Sequence, residues 1–282
     1  DEAKSVHTTS DGGFIIVGST VNIFDYEVEV YLIKTDEMGV EQWSNTYIGG
    51  SGNASGESVQ ETIDGGYIIT GYVSVPGTAN NNHTDMLLLK VDADGVEEWR
   101  NHYGGINNDY GYSVAQSSDG GYVAVGKIST IDTSGSYDTN LFMIKTNSNG
   151  GMEWVQNRGS EFHDIGYSVI ETEDGGFATT GMVDGGDTWI LKVGLNGMVE
   201  WSQTYYHNNS DHGNSIDQTS DGGFIVAGVI GGIEALLIKT NSAGEEEWRQ
   251  FIGGNAADWA NSVQETHDGG FILSGSTRSF GF

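Results

Sequence analysis

Five aspartates recur at one place in this chain. Asp1, Asp109, Asp164, Asp211 and Asp258 each stand four residues before a serine (Ser5, Ser113, Ser168, Ser215, Ser262), and Ala54 takes the same place before Ser58. Carboxylates brought together are hard oxygen ligands suited to Ca²⁺, which makes Asp109, Asp164, Asp211 and Asp258 candidate metal ligands. A structural turn explains the repetition as well, each carboxylate accepting hydrogen bonds from its own connection beside a small residue such as Gly111 or Gly166. No EF-hand spacing is present. A further metal site of the imidazole and carboxylate kind would form where His163 and Asp164 approach His207, Asp211 and His212 of the next unit's connection. Histidines in polar surface loops explain these too.

Catalytic signatures are sparse. An enzyme acting on a carboxylate substrate needs clustered arginines, and Arg100, Arg158, Arg249 and Arg278 share no locus. Neither a Gly-x-Ser-x-Gly elbow nor a phosphate loop occurs. Every carboxylate pair suited to glycoside cleavage is accounted for by the repeat. A hydrolase or lyase would be recognised by one unit carrying acid and base residues that the others lack. No catalytic residue is assigned, and a non-enzymatic role is expected.

The elements that must position these groups follow from a repeat. Asp-Gly-Gly followed by Phe or Tyr occurs six times, at Asp11, Asp64, Asp119, Asp174, Asp221 and Asp268, with spacings of 47 to 55 residues. A period of that length marks one supersecondary unit used many times. Each Asp-Gly-Gly follows its serine by six residues. A lysine ending an apolar run (Lys34, Lys90, Lys145, Lys192, Lys239) precedes a tryptophan by nine (Trp43, Trp99, Trp154, Trp201, Trp248). The stretch from Asp-Gly-Gly to lysine varies, at 23, 26, 26, 18 and 18 residues, which identifies a loop.

In the third unit, Tyr112 to Gln116 alternates, Ser117-Ser118-Asp119-Gly120 turns, and Gly121 to Gly126 forms a second strand. Asp-Gly with a further Gly tolerates the positive φ of a tight hairpin. Leu141 to Lys145 is a buried strand, and Thr146 to Gly150 turns the chain into Met152 to Val155. Four antiparallel strands, here a to d, repeated without a predicted helix and with one proline, Pro76, describe a β-propeller blade. The fold expected is all-β: one propeller domain over 1–282, of six blades with the sixth incomplete, or five blades plus an extra hairpin. The units are approximately 1–48, 49–104, 105–159, 160–206, 207–253 and 254–282.

The segments Lys34 to Trp43 and Lys90 to Trp99 resemble the tryptophan-docking motif of PQQ-type propellers, and the Ser-Val, Asp-Gly-Gly-Tyr series resembles the SBBP repeats of secreted bacterial and archaeal proteins. The resemblance covers nearly the whole chain and implies the fold; it implies scaffold or adhesion roles more than chemistry. Asp36 and Asp92 become Asn147, Gly194 and Asn241 in later units. The five tryptophans in register are expected to pack between neighbouring units.

In a four-stranded blade the b–c loop and the d–a connection share one face, where length variation collects. Residues 19 to 28, 73 to 84 and 128 to 139 lie there, with Asn80-Asn81-Asn82-His83 and Asp132-Thr133-Ser134-Gly135 among them. Asn81, His83, Asp132 and Tyr137 are candidate ligand-binding residues, as is Trp259, which breaks the register and is expected in a loop.

Forty acidic residues against eleven basic ones give a formal charge of -29, which repels nucleic acid and anionic lipid. No apolar run reaches the roughly 20 residues that span a bilayer, and the first residues are not a signal peptide. The absence of cysteine rules out a disulfide scaffold. Asn-x-Ser/Thr sequons at Asn53, Asn82 and Asn208 and the acidity together lean towards an extracellular or cell-surface protein. The expected partners are protein or glycan, with Ca²⁺ as the one candidate cofactor. The unfinished sixth blade adds self-assembly through donated strands, as in a surface layer or filament.

Overall fold

A computed structural model of the chain describes residues 1–24, 26–47, 52–76, 83–131, 137–160, 162–206 and 210–279. Asn81 and Asp132 lie outside them. Among the described residues there are 22 strands and no helix. The first sheet contains β1 (Glu2–Thr8), β2 (Phe14–Val21), β3 (Val28–Thr35) and β4 (Glu41–Tyr47). The second contains β5 (Ala54–Glu61), β6 (Tyr67–Val75), β7 (His83–Val91) and β8 (Glu97–Tyr103). The third contains β9 (Tyr110–Gln116), β10 (Tyr122–Ile131), β11 (Tyr137–Thr146) and β12 (Met152–Arg158). The fourth contains β13 (Ile165–Glu171), β14 (Phe177–Val183), β15 (Asp187–Val193) and β16 (Val199–Tyr205). The fifth contains β17 (Asp211–Gln218), β18 (Phe224–Ile230), β19 (Glu234–Thr240) and β20 (Glu246–Ile252). The sixth holds β21 (Asp258–Glu265) and β22 (Phe271–Thr277) alone. Each complete sheet is a meander in chain order.

By contact the chain divides into two compact units, Asp1–Tyr137 with Met143–Glu153, and Asp138–Phe142 with Trp154–Phe282. The first has a core built from Ile15, Val17, Val30, Leu32, Tyr67, Ile69, Leu87 and Leu89. In the second, Ala178, Ile190, Phe224, Val226, Leu236 and Ile238 form the equivalent layer between the fourth and fifth sheets.

The Asp-Gly-Gly signature is explained atom by atom. Gly12 adopts φ 86°, where a side chain is strained. A Cβ on Gly13 would stand 2.1 Å from the Thr35 carbonyl oxygen of the neighbouring strand. The Asp11 carboxylate accepts from the Gly13 N–H and the Thr9 hydroxyl, and takes the Lys34 ammonium at 2.8 Å. The same ion pair recurs as Lys90 with Asp64, Lys145 with Asp119, Lys192 with Asp174 and Lys239 with Asp221, at 2.8 to 3.1 Å. All five lysines are buried. In four of the units a second carboxylate, Glu98, Glu153, Glu200 or Glu247, joins from strand d at 2.9 to 3.1 Å.

The tryptophans occupy matching surroundings. Trp43 packs on Tyr67, Trp99 on Tyr122, Trp154 on Phe177, Trp201 on Phe224 and Trp248 on Phe271, with ring centroids 5.7 to 5.9 Å apart. Tilted aromatic pairs of this kind add about 0.5–1.5 kcal/mol beyond area burial. The exchange of Asp36 for Asn147 or Asn241 is equally legible. Only one side-chain oxygen is needed, to accept the two N–H groups of the turn.

Candidate functional site

The aspartates that open each strand a are stapling residues. Asp109 donates its N–H to the Thr84 carbonyl and accepts from the N–H groups of Gly105 and Ser129. Asp164 donates to Thr139 and accepts from the N–H groups of Ser160 and Asp184. Asp211 donates to Gly186 and accepts from Gly231. Asp258 donates to Ile233 and accepts from the Gly254 N–H and from the hydroxyls of Thr277 and Ser279. Each ties a d–a connection to the strands on either side of it, which is why the residue recurs. Where Ala54 stands instead, Asn53 does part of this, accepting from Val28 N–H on its side chain and from Ser74 N–H on its carbonyl.

Asp109, Asp164 and Asp258, and Oδ1 of Asp211, thus accept from the protein's own donors, which is the arrangement the turn reading expects; Ca²⁺ ligation by these four aspartates stays an expectation from the sequence. Burial pushes the Asp109 and Asp164 carboxyls up, against those hydrogen bonds. The Ser279 and Thr277 hydroxyls and the Gly254 N–H hold Asp258 down at about 2. Among the described residues, no three His, Cys, Asp or Glu side chains are placed to hold a metal ion. His212 packs against Tyr167, and its burial lowers its pKa. His163 approaches the Thr139 hydroxyl, and His207 lies outside the described residues.

One histidine cluster is special to the second sheet. His102, on β8, bonds through Nδ1 to Oδ2 of Asp85 on β7 at 2.7 Å. His83, two residues before Asp85, brings Nε2 to 3.4 Å from its Oδ1. Asp85 is 95% buried, and that Oδ1 has no hydrogen-bond partner, nor does Nδ1 of His83. Asp109 stands close by. Its Oδ2 and the Asp85 Oδ1 both lie within 2.5 Å of the point a Gly104 Cβ would occupy, so they are no more than twice that distance apart. A side chain at Gly104 would close this space. Asp85 is flanked by imidazoles on both oxygens and Asp109 is tied to backbone, so the four groups do not surround a common centre.

The bond of Nδ1 to Asp85 orients the His102 ring, which is half-exposed. The arrangement can polarise a hydroxyl or receive one in a hydrogen bond. Sequence reasoning found His83 and missed His102 and Asp85. The signal was present: at the positions of His83 and His102 the other units carry Glu27, Asp138, Gly185 or Gly232, and Thr46, Asn157, Thr204 or Phe251.

On the same side of the first sheet, the connection from β2 to β3 presents Phe24, 89% exposed, and Tyr26, 80% exposed. Its backbone is bound to itself: Asn22 and Glu27, then Tyr26 and Asn22, pair N–H to carbonyl, and the Asn22 side chain accepts from Phe24 N–H and donates to Glu29. Tyr26 has φ 63°, a conformation that costs a non-glycine residue. Tyr137, the first residue of β11, is also exposed. Trp259 lies in strand β21 rather than in a loop, with the Arg278 guanidinium 5.6 Å from its ring centroid.

No protein-family model matches the chain. Over 162 residues it is 30% identical to the regulatory protein FlaEY of Caulobacter vibrioides, a stretch covering 51% of this chain and 17% of that protein. The chain thus spans less than a fifth of that relative's length. Among solved structures it is similar to the WD40 domain of Pan2 from Neurospora crassa, with a TM-score of 0.55 and 9% identity over 93% of this chain and 68% of that one. A glucose dehydrogenase is similar with a TM-score of 0.53 and 10% identity, covering 91% of each chain. At such identities the likeness concerns fold alone. Together with the sheets it identifies a β-propeller fold, with five four-stranded sheets and one two-stranded sheet among the described residues.

Proposed function

We propose that the chain is a non-enzymatic recognition module, secreted or displayed at the cell surface, that binds protein or glycan through its b–c and d–a connections. The observation that carries this is the β2–β3 connection: two aromatic side chains held in solvent by a self-bonded backbone with strain at Tyr26. Pre-ordered, exposed aromatics are the usual anchors of binding hot spots. The His83–Asp85–His102 cluster on the neighbouring sheet supplies a polar contact of defined geometry. The description of FlaEY as a regulatory protein accords with action by binding. The resemblance of the repeats to those of secreted bacterial and archaeal proteins supports the location.

The test is to screen the purified chain against printed glycan and surface-protein arrays, and then to measure the affinity of each hit for the Phe24→Ala/Tyr26→Ala variant. At least a tenfold loss with an unchanged melting temperature supports the reading. Unchanged binding of every hit removes it. One observation favours a second reading, general acid–base catalysis: a histidine hydrogen-bonded to a buried aspartate, His102 with Asp85 at 2.7 Å, closer than the 3.6 Å between His163 and Asp138. Turnover of an ester or glycoside library, abolished in His102→Ala, is the result that would establish it.

A further inference from the structure

One lysine stands apart from the repeat. Lys127 lies on β10 where the other units carry Ser19, Tyr72, Met182, Val229 or Ser276. Five of the seven lysines fill the carboxylate slots, and Lys4 holds Glu2 at 2.7 Å. Lys127 is half-buried and, among the described residues, has no carboxylate within ion-pair distance. Burial lowers its pKa, and no charged neighbour offsets that effect. In a chain with forty acidic residues an unpaired, partly desolvated ammonium is an exception. Such a charge is costly until a counter-charge is supplied.

What Lys127 faces is aromatic. It pairs across the ladder with Tyr110 of β9, and its Nζ lies 4.7 Å from the centre of that ring. The ring of Tyr72, on β6 of the neighbouring sheet, meets Tyr110 edge-on at 5.2 Å. Between Gly111 and Ser113 the β9–β10 ladder skips Tyr112, and a bulge of this kind re-aims a side chain. The Tyr112 ring stands parallel to that of Tyr110, with centroids 6.4 Å apart. No other unit carries two tyrosines at these places of strand a. Glu57, whose charge acts on Tyr72, accepts from the Ser55 hydroxyl at 3.2 Å and is opposed by Lys4. The group therefore keeps one uncompensated cation beside three phenol rings. Tyr110 opens β9 and Lys127 lies in the second half of β10, so the group sits at the strand ends from which the b–c and d–a connections leave.

We propose that Tyr72, Tyr110, Tyr112 and Lys127 form a site for a carboxylated sugar, a uronic acid carried singly on a glycan. The Lys127 ammonium takes the carboxylate. The phenol rings offer the pyranose an apolar surface, and their hydroxyls, each both donor and acceptor, match a ligand bearing several hydroxyls. The acidity of the chain narrows the choice. Forty acidic residues against eleven basic ones repel a polyanion at a distance, whereas a ligand with one negative charge meets one unpaired cation. A peptide carboxylate would satisfy Lys127 but leave the phenol hydroxyls unused. Resting on the glycan side of the recognition reading, the site is nonetheless separate from Phe24 and Tyr26.

The experiment titrates the full chain with methyl glucuronide and with methyl glucoside, which lacks the carboxylate, and follows the backbone amides by NMR. Saturable shifts in β6, β9 and β10 are expected, with the glucuronide bound about tenfold more tightly or better, the worth of one charge-assisted hydrogen bond. Lys127→Met should abolish that preference and keep the glucoside affinity, while Tyr110→Leu should weaken both sugars. The preference is read on the unaltered chain, so a variant that unfolds leaves the test intact. Absence of glucuronide binding overturns the proposal, as does equal affinity for the two sugars or a preference that survives Lys127→Met. Equal binding of N-acetylaspartate amide overturns it by making any carboxylate the ligand, and tighter binding of a sulfated polysaccharide by making the site a polyanion surface. Glucuronide binding should persist in the Phe24→Ala/Tyr26→Ala variant. Failure of the sugar titration with the array hits intact rejects this site and leaves recognition through the β2–β3 connection standing.

Discussion

At the scale of single residues, adjacent glycines in one signature do different work, and substitution separates them. Gly120 has φ 84° with nothing within 4 Å of an added Cβ, so Gly120→Ala meets only backbone strain, about 1–2 kcal/mol. Gly121 lies where a Cβ would be 2.1 Å from the Thr146 carbonyl oxygen, a clash with backbone that cannot rotate away. Gly121→Ala should cost clearly more, about 3 kcal/mol or beyond, with loss of the β10–β11 edge register. Urea unfolding of the two variants measures the order, and equal midpoints would contradict it. A similar argument applies to Asp164. It is fully buried and accepts from the Ser160 and Asp184 N–H groups. Asp164→Ala strands both donors and should destabilise by about 2–4 kcal/mol, with the same loss in EDTA as in calcium buffer.

At the scale of elements, what was readable from the chain is what recurs at fixed offset. Serine keeps a constant separation from Asp-Gly-Gly, and lysine from tryptophan, so the hairpins, the lysine at the end of its strand and the packing of the tryptophans between units could be placed from the sequence. The His102–Asp85 contact could not. It depends on which residues of β7 and β8 face each other, and that register contains a bulge between Lys90 and Val91 that offsets the pairing beyond it. The stapling role of Asp109, Asp164, Asp211 and Asp258 was open between turn and metal for a related reason: period alone does not say whether a carboxylate faces its own backbone or a shared centre. The lysine slot also predicts a response to acid. Burial works to raise the Asp174 pKa, but the Thr172 hydroxyl, the Gly176 N–H and Lys192 outweigh it and hold the carboxyl at about 2. A carboxylate held below its unfolded value near 4 favours the folded state above that value, and the contribution fades as pH falls towards about 2. Lys192→Met should lower stability at pH 7 by about 1–3 kcal/mol. Its deficit should narrow between pH 4 and pH 2, because protonated Asp174 has less to lose. A deficit constant across that range would show that the lysine acts through its hydrocarbon stem alone.

At the scale of the whole molecule, the balance of forty acidic to eleven basic residues means that most surface carboxylates repel one another. Five of the seven lysines are withdrawn from the surface into paired, buried slots, so the solvent-facing field is more one-sided than the formal charge of -29 conveys. Screening then acts unequally. The Debye length shrinks from about 30 Å at 0.01 M salt to about 3 Å at 1 M, which quenches the long-range repulsion between exposed carboxylates, while pairs such as Lys145 with Asp119, having one fully buried member, are screened far less. The net expectation is that added sodium chloride stabilises the fold: the urea midpoint should rise steadily from 0.01 M to 0.5 M salt at pH 7, most steeply at the low end. The rise should flatten at pH 3.5, where many surface carboxylates are already partly neutral. A midpoint that falls with salt would mean that the five lysine pairs are electrostatically exposed and outweigh the surface repulsion.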